Sequence, residues 1–206
     1  FYGYDGTTVK TIGVSGSDIT AGAMARALNA EEIIIYTDVD GIFNADPRKV
    51  HAATLLHHLR SEDAIELGYA GGNVLHPRAT IHILDTDMVM WVRNVMGKDG
   101  EGTKISRYGD PCMAVSLLDN QIMVTVSSHR MNGVPGVASE LFDTIGIQGI
   151  SVSLITQSCS ECSISFTVSD ENVDRLHAVN NISEICKVGI VTLVGSDMKK
   201  KIGIHI

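Results

Sequence analysis

The chain alternates between apolar runs that predict strands and amphipathic or alanine-rich runs that predict helices. Residues 32–36 are apolar and rich in β-branched side chains, so they predict a buried strand, and residues 88–92 predict another strand. Residues 19–28 are rich in alanine and predict a helix. Residues 61–67 start with a serine and two acids, which is typical of a helix start. This succession predicts an α/β unit in the first half of the chain.

The second half has a different order of elements, with three predicted strands and two predicted helices. The strands lie at residues 122–126, 150–155 and 162–168, and the helices lie at residues 137–145 and 171–178. The order strand, helix, strand, strand, helix is typical of a ferredoxin-like α+β unit. Residues 189–198 repeat the pattern of residues 122–131, which predicts the start of a second such unit. We therefore expect two domains, at residues 1–106 and 111–206.

A polar loop follows the predicted strand at residues 32–36. Its notable members are Thr37, Asp38, Asp40, Gly41, Asp46, Pro47 and Arg48. The Asp40-Gly41 pair and Pro47 each predict a change of direction. Open α/β sheets bind their ligands at the carboxyl ends of strands, so this loop is where polar chemistry is expected.

A second loop precedes the alanine-rich helix. It contains Gly16, Ser17 and Asp18, and either Ser17 or Asp18 is a natural N-cap. The amino end of a helix presents unpaired N–H groups and the positive end of the helix dipole. The loop therefore predicts a docking point for a carboxylate or a phosphate.

Charge and composition exclude several classes of protein. The net charge is −8 and the pI is near 5.4, whereas a nucleic-acid partner requires clustered lysines and arginines. No apolar run reaches the roughly 18 residues that span a bilayer. No signal peptide opens the chain. We expect no nucleic acid and no membrane as partners, and a cytoplasmic location.

Two of the four cysteines, Cys159 and Cys162, have the C-x-x-C spacing of a redox or zinc half-site. A zinc site needs a second pair, and Cys112 and Cys186 are too scattered to supply one. Cys162 also falls in the predicted strand at residues 162–168, which favours a packing role. We expect reduced thiols and no metal ligand from the protein.

The motifs together resemble the aspartate kinase family. The matching segments are residues 11–18, 37–48, 70–77 and 133–166, in the order that the family has them. The resemblance implies an amino-acid kinase fold, here its C-terminal part, followed by ferredoxin-like ACT regulatory domains. It implies ATP-dependent phosphorylation of the aspartate side-chain carboxylate to 4-phospho-aspartate. The activity would be feedback-regulated in lysine, threonine and methionine biosynthesis, and the ACT segment is most similar to the threonine-sensitive class.

The resemblance also implies roles for individual residues. Asp18 would be catalytic by orienting a lysine, and Gly16, Ser17 and Val14 would lie on the aspartate side. The nucleotide would be bound by Thr37, Asp38, Phe43, Arg48 and Asn73. ATP chemistry implies Mg²⁺, held mainly by phosphates and waters. For Arg48 the alternative is a salt bridge to Asp46 or Asp38, and His76 is expected to cap a helix that begins at Pro77.

In the ACT segment the resemblance implies an amino-acid effector, threonine or lysine. It would lie between the loop at residues 132–137 and the strand at residues 150–157 of a partner domain, in a homodimer formed through the ACT domains. The implied contacts are Asn132, Val134, Gly136, Val137, Ser153 and Gln157. A serine at position 153 favours threonine as the effector. The alternative is that Gly133 and Gly136 only shape a turn.

The chain departs from the family pattern at four points, and all of them except the change at Phe43 support a second hypothesis. Val14 stands in place of an arginine, Asn73 in place of a lysine and Phe43 in place of a tyrosine, and an N-terminal K-[FL]-G-G-[TS] segment is not found. The chain starts at Phe1 and stops at Ile206 in a way that suggests cuts inside a longer protein. We do not expect this chain alone to be a competent kinase. The alternative function is a non-catalytic amino-acid-binding module with a vestigial kinase half.

Overall fold

The computed structural model describes residues 2–13, 15–72, 74–97, 101–128, 133–160 and 162–196. The chain folds into two units, of which the second is Leu118–Ile190 and the first comprises the described residues before and after it. The strands are β1 (Tyr2–Tyr4), β2 (Val9–Thr11), β3 (Glu32–Thr37), β4 (His58–Arg60), β5 (Val89–Asn94), β6 (Thr103–Ser106), β7 (Met113–Ser127), β8 (Leu154–Gln157), β9 (Ser163–Ser169) and β10 (Ile182–Gly195). The α-helices are α1 (Gly16–Ala27), α2 (Ser61–Tyr69), α3 (Pro77–Thr80) and α4 (Val137–Ile147), and two 3₁₀ helices span Ile81–Ile83 and Asp170–Ala178.

The first unit is built on a four-stranded mixed sheet of order β3-β5-β6-β4. β3 and β5 are parallel, with Glu32 opposite Val89 and Thr37 opposite Asn94. The pair β5–β6 is antiparallel and the pair β4–β6 is parallel. Because β3 and β5 run in the same direction, their carboxyl ends meet at Thr37 and Asn94. The polar loop after β3 therefore starts beside the end of β5.

One face of this sheet forms the core of the first unit. The fully buried side chains on it include Leu59, Met90, Val92 and Ile105. Helices α1, α2 and α3 contribute buried alanines and leucines to the same cluster. The burial of each such side chain stabilises the folded state by about 1.5–3 kcal/mol, so this face of the sheet contributes most of the stability of the first unit.

The predicted elements of the first unit are largely confirmed. The strands predicted at 32–36 and 88–92 are β3 and β5, and the helix predicted at 61–67 is α2. His76 caps α3 as expected, because its Nδ1 accepts a hydrogen bond from the Arg78 N–H at 3.2 Å.

The predicted N-cap of α1 is wrong. The helix begins at Gly16, the N-cap is Ser15 with a φ of 58°, and no side chain caps it. The reason is local, because the Gly16 N–H donates to the Gly13 carbonyl at 3.2 Å and turns the chain before Ser17 is reached. Ser17 and Asp18 consequently lie inside the first turn of α1.

Strands β10, β7, β9 and β8 form a sheet in that order, in which the pairs β7–β9 and β8–β9 are antiparallel and against which α4 packs. β7 pairs with β9, and Val124 lies opposite Phe166. Both are buried, together with Ile145 of α4, and the Phe142 ring meets the Phe166 ring edge-on at 5.9 Å. The predicted order of elements is confirmed, with the second helix formed as the 3₁₀ helix Asp170–Ala178.

The strand predicted at residues 150–155 is corrected by the structure. β8 begins only at Leu154, because Ile150 is buried in the core and its N–H donates to the carbonyl of Ile145 at the end of α4. The strand predicted after residue 189 lies within β10. The remainder of the predicted second ACT unit lies outside the described residues, so the domain limits of 1–106 and 111–206 stay a prediction. No helix in the described part of the chain is long and apolar enough to cross a membrane.

Candidate functional site

The carboxyl ends of β3 and β5 form a hydrogen-bonded edge around Asn94. The Asn94 Nδ2 donates to the Asp40 Oδ1 at 2.7 Å, and its Oδ1 accepts from the Met96 N–H at 2.9 Å. The Val95 N–H donates to the Thr37 carbonyl at 2.8 Å. Asn94 therefore fixes the loop after β3 to the end of β5. Asn94 is not among the residues predicted from the sequence, although a polar residue at the end of an apolar strand is a signal for such a role.

Thr37 and Asp38 lie together at this edge. The Thr37 hydroxyl donates to the Asp38 Oδ1 at 3.2 Å, and Asp38 is exposed. The backbone places an exposed carboxylate at the mouth of the loop, with a second one at Asp40. Such oxygens accept hydrogen bonds from N–H and O–H donors, such as those of a sugar or a base.

Gly41 makes the turn that follows Asp40. It is buried with a φ of 141°, and a Cβ there would lie 2.7 Å from the Thr103 Oγ1 and 2.9 Å from the Leu55 Cδ1. The next residue, Ile42, donates its N–H to the same Thr103 hydroxyl at 2.8 Å. Glycine is required here both by the backbone conformation and by the space available.

Phe43 is held by an antiparallel bridge to Leu55 and is half-buried. The bridge is extended on both sides, since the Leu56 N–H donates to the Ile42 carbonyl at 2.8 Å and the Asn44 N–H donates to the Thr54 carbonyl at 3.0 Å. The loop therefore presents Phe43 from a short two-stranded segment whose backbone is fixed.

Arg48 forms a bidentate salt bridge with Asp46. Its Nε lies 3.0 Å from Oδ1 and its Nη2 lies 3.1 Å from Oδ2, while the Arg48 side chain is 80% exposed. The alternative raised from the sequence is therefore what the structure shows. This salt bridge engages two of the five guanidinium N–H donors.

This pair shifts the pKa of both partners. Hydrogen bonds from the Arg48 side chain and N–H lower the pKa of Asp46, and the Asp46 carboxylate raises the pKa of Arg48, with a smaller contribution from the charge of Asp38. A lowered carboxyl pKa means that the pair is complete above the ordinary aspartate pKa. It is lost only as the pH falls through the lowered value.

The predicted acceptor side lies at the start of α1. Gly16 is buried, Ser17 is exposed and Asp18 is half-buried. The Ser17 hydroxyl donates to the Asp18 Oδ1 at 3.3 Å, so the two side chains are held together in the first turn of the helix. Of the other candidates for the kinase half, Val14 and Asn73 lie outside the described residues.

The second unit contains a cleft of about 330 Å³ beside the start of α4. It is lined by Gly133, Val134, Pro135, Gly136, Val137, Ala138, Gln157 and Ile164. Four of the predicted effector residues, Val134, Gly136, Val137 and Gln157, are thus brought together within one chain. The expectation placed the loop and the strand on different domains.

The other two effector candidates are not placed in this cleft. The Ser153 hydroxyl donates to the Oε1 of the buried Gln121 at 3.3 Å, and its N–H donates to the Thr167 carbonyl. The contact with Gln121 explains a serine at this position without an effector. Asn132 lies outside the described residues.

The cleft can hold a small zwitterion. α4 has Gly136 as its N-cap and no side-chain cap, so the amino end of the helix offers N–H groups to a carboxylate. Gln157 lies across the cleft with an amide that can both donate and accept. Gly133 and Gly136 have φ values of 68° and 91°, so the alternative that they shape a turn also holds.

The comparisons with known proteins agree with both halves of this description. Residues 1–94 match the model of the amino acid kinase family, and residues 124–184 match that of an ACT domain. Bifunctional aspartokinase/homoserine dehydrogenase 1 of Arabidopsis thaliana, a chloroplastic protein, is 37% identical over 184 residues. That match covers 85% of this chain and 20% of the relative.

Solved structures of E. coli aspartokinase III match over almost the whole chain. The R-state complex with aspartate and ADP is 30% identical with a TM-score of 0.82, and the match covers 99% of this chain and 49% of that one. The T-state complex with lysine and aspartate is 30% identical with a TM-score of 0.76, covering 96% and 47%. The chain belongs to the aspartokinase family. It spans about half of aspartokinase III and about a fifth of the bifunctional relative.

Membership of the aspartokinase family confirms the predicted fold class. The first unit is the C-terminal part of an amino acid kinase fold, and the second contains an ACT domain. Within the described residues, no group of three or more histidine, cysteine, aspartate or glutamate side chains is arranged to hold a metal ion.

Proposed function

We propose that the protein containing this chain is an aspartate kinase, which transfers the γ-phosphoryl group of ATP to the side-chain carboxylate of aspartate. The observation that carries the proposal is the edge formed by Thr37, Asp38 and Asn94 at the carboxyl ends of two parallel strands. This is where open α/β sheets bind ligands. The match to aspartokinase III, whose R-state structure holds aspartate and ADP, supports the same assignment.

On the nucleotide side, the proposal assigns Thr37, Asp38, Phe43 and Arg48. The bridged backbone at Phe43 fixes an aromatic ring beside the loop, where it can contact a base. The remaining N–H donors of Arg48 can bind phosphate oxygens, and charged hydrogen bonds of this kind are the strong ones. Asn73, proposed for the same pocket, lies outside the described residues. Mg²⁺ would be held mainly by the phosphates and waters.

On the acceptor side, the proposal assigns Gly16, Ser17 and Asp18, with Val14 beside them in the sequence. Phosphoryl transfer depends on positioned charge around the transferring group. The contact between Ser17 and Asp18 holds a hydroxyl and a carboxylate in one turn of α1, where the helix dipole stabilises negative charge. Asp18 can then orient a cation toward the phosphoryl group.

Replacing Asn94 with alanine should weaken nucleotide binding about fivefold, because the loss of one hydrogen-bonding side chain is worth about 1 kcal/mol. Without Asn94, the Asp40 carboxylate and the Met96 N–H lose their partners and the loop is no longer fixed to β5. Calorimetric titration of ADP with Mg²⁺ into the protein with its natural flanking sequence measures the change. Met96→Ala is the matched control, since that side chain is 89% exposed and should leave the affinity unchanged. Equal affinities of the two variants would show that Asn94 does not position the nucleotide loop.

For the ACT domain, the proposed ligand is a feedback effector, lysine or threonine. Lysine is present in the T-state structure of aspartokinase III. In this chain the effector carboxylate would accept from the N–H groups at the start of α4, and Gln157 would bind the other polar end. Ser153 and Asn132 were proposed for the same site, but the position of Ser153 beside Gln121 gives it no part in this cleft.

Gln157→Ala should lower the affinity for the effector about fivefold, because one hydrogen-bonding side chain in the cleft is removed. Titration of lysine and of threonine into the chain shows which of them binds. Thr156→Ala is the control, since Thr156 is an exposed neighbour on the same strand that does not line the cleft. If Gln157→Ala binds the effector as the unsubstituted chain does, Gln157 has no part in the site.

We also propose a homodimer through the ACT domains. β8 lies at the edge of its sheet and exposes Leu154 and Ile155, and unpaired strand edges are commonly covered by a second copy. The pairing strand is therefore Leu154–Gln157, in place of residues 150–155. The cytoplasmic location stays a prediction, and the Arabidopsis relative is described as chloroplastic.

The alternative is an amino-acid-binding module with a vestigial kinase half. It is favoured by the salt bridge of Arg48 to Asp46, since the Asp46 carboxylate offsets the positive charge proposed to bind phosphate. A thermal shift with lysine or threonine, together with none from ADP and Mg²⁺, would support the module. Shifts with both classes of ligand would support the kinase.

A further inference from the structure

The turn that joins β8 to β9 carries a pair of accessible thiols. Cys159 is exposed and Cys162 is half-buried, and both are free cysteines. The Ser158 N–H donates to the Ser163 carbonyl at 3.1 Å, so these two residues face each other across the hairpin. Cys159 follows Ser158 and Cys162 precedes Ser163, so the two cysteines are the next residues on either side of this hydrogen-bonded pair.

This placement suits a disulfide. Residues that lie opposite each other in an antiparallel pair, as Ser158 and Ser163 do, have Cα atoms about 4.5–5.5 Å apart. A disulfide requires Cα atoms about 4.4–6.8 Å apart. Cys159 and Cys162 directly adjoin such a pair, so a small adjustment of the backbone brings them within this requirement.

The turn lies next to the amino-acid cleft. Gln157 and Ile164 both line the cleft, and they are direct partners in the register of β8 and β9. One further pair, Ser158 and Ser163, separates them from the cysteines. A disulfide between Cys159 and Cys162 would thus lie two residues away from Gln157 on β8 and two residues away from Ile164 on β9.

We propose that Cys159 and Cys162 form a reversible dithiol–disulfide pair that controls ligand binding in the adjacent cleft. The control of ligand binding rests on the proposed effector site, whereas the formation of the disulfide does not. The pair responds to a small-molecule disulfide such as oxidised glutathione, by thiol–disulfide exchange.

The Cys159–Cys162 disulfide forms from the two thiols and glutathione disulfide in two exchange steps. One cysteine thiolate attacks a sulfur of glutathione disulfide, which forms a mixed disulfide and releases one glutathione thiolate. The second cysteine thiolate then attacks the protein sulfur of the mixed disulfide and releases the second glutathione. The S–S bond of glutathione is broken and the Cys159–Cys162 bond is formed. The two protons of the cysteine thiols end on the two glutathione thiols.

Oxidation changes the contacts of the turn. In the reduced chain the Cys162 thiol donates to the Ser160 carbonyl at 3.3 Å, and the Ser158 and Ser160 hydroxyls lie 3.0 Å apart. The disulfide has no S–H, so the Ser160 carbonyl loses this donor. The turn must then rearrange, and the rearrangement is transmitted along β8 to Gln157.

Mass spectrometry after treatment with oxidised glutathione tests the disulfide. The experiment uses the variant Cys186→Ser, in which Cys159, Cys162 and the buried Cys112 are the remaining cysteines. Burial is the main cause that raises the pKa of the Cys112 thiol to about 11, so this thiol stays protonated and unreactive. We expect loss of two hydrogens, no glutathione adduct, and a linked peptide that contains both Cys159 and Cys162. Two stable glutathione adducts on the protein would contradict the formation of the Cys159–Cys162 disulfide. Two thiols that both remain open to alkylation would contradict it as well.

Titration of lysine and threonine into the reduced and oxidised forms tests the control of the cleft. We expect the oxidised form to bind about fivefold more weakly, at the lower end of typical coupling between linked sites. The double variant Cys159→Ser, Cys162→Ser should bind equally before and after the oxidant. Equal affinity of the reduced and oxidised pair would overturn the control of the cleft. If the reduced chain binds neither amino acid, both the proposed effector site and its regulation by the disulfide are wrong. The formation of the disulfide is then tested by mass spectrometry alone.

Discussion

Replacing Gly41 with alanine should destabilise the first unit by about 3 kcal/mol, since a strained backbone and an overfilled contact each contribute roughly 1–3 kcal/mol. Gly41 has a φ of 141°, and its added Cβ would lie 2.7 Å from the Thr103 Oγ1 and 2.9 Å from the Leu55 Cδ1. Thr103 is fully buried and accepts the Ile42 N–H, so it cannot move away without losing that hydrogen bond. The loop that follows β3 would be displaced together with Ile42.

Denaturant unfolding of the two proteins measures the loss. Gly3→Ala is the matched control, because Gly3 lies in the same unit, has no atom within 4 Å of an added Cβ and has no left-handed backbone. We expect its stability to stay within about 0.5 kcal/mol of the unsubstituted chain, as for most surface substitutions. If Gly41→Ala proves as stable as Gly3→Ala, the turn at Asp40-Gly41 does not have the geometry described.

Replacing Asp63 with alanine should destabilise the first unit by about 2 kcal/mol, because hydrogen bonds to a charged group contribute roughly 1.5–3 kcal/mol and their loss leaves buried donors without an acceptor. Asp63 is 4% exposed. Its carboxylate accepts from the Ser196 hydroxyl at 2.6 and 2.8 Å and from the Cys112 N–H at 3.3 Å. It therefore joins α2 to two segments that are distant in the sequence.

Glu62→Ala is the control for Asp63. Both acids lie in the first turn of α2, so both substitutions remove the same favourable charge at the amino end of the helix. Glu62 is exposed, and its removal should change the free energy of unfolding by less than about 1 kcal/mol. Similar losses for the two variants would mean that the effect comes from the helix dipole and that the contacts of Asp63 contribute little.

The sequence predicts those features of the site that depend on neighbours along the chain. The strand β3, the turn at Gly41 and the cap at His76 follow from local patterns, and the structure contains all three. The pairing of Arg48 with Asp46, two residues away, was also within reach of local reasoning.

The features that were missed depend on residues distant in the sequence. Asn94 contacts Asp40 across 54 positions, and Ser196 contacts Asp63 across 133 positions. Such contacts are fixed by which strands pair, and a single sequence does not show that pairing. The late start of β8 has a similar cause, because the burial of Ile150 against the end of α4 overrides its apolar alternation.

We propose above that the protein carrying this chain phosphorylates the side-chain carboxylate of aspartate. The most direct test incubates that protein with ATP, Mg²⁺, aspartate and hydroxylamine, and measures the aspartyl hydroxamate formed when hydroxylamine traps the acyl phosphate. We predict hydroxamate that depends on both ATP and aspartate, and a loss of about 100-fold in kcat for Asp18→Asn, in line with the removal of one positioned charge. Binding of ADP and aspartate without any hydroxamate would contradict the proposed kinase activity, and equal turnover by the Asp18→Asn variant would contradict the catalytic role of Asp18.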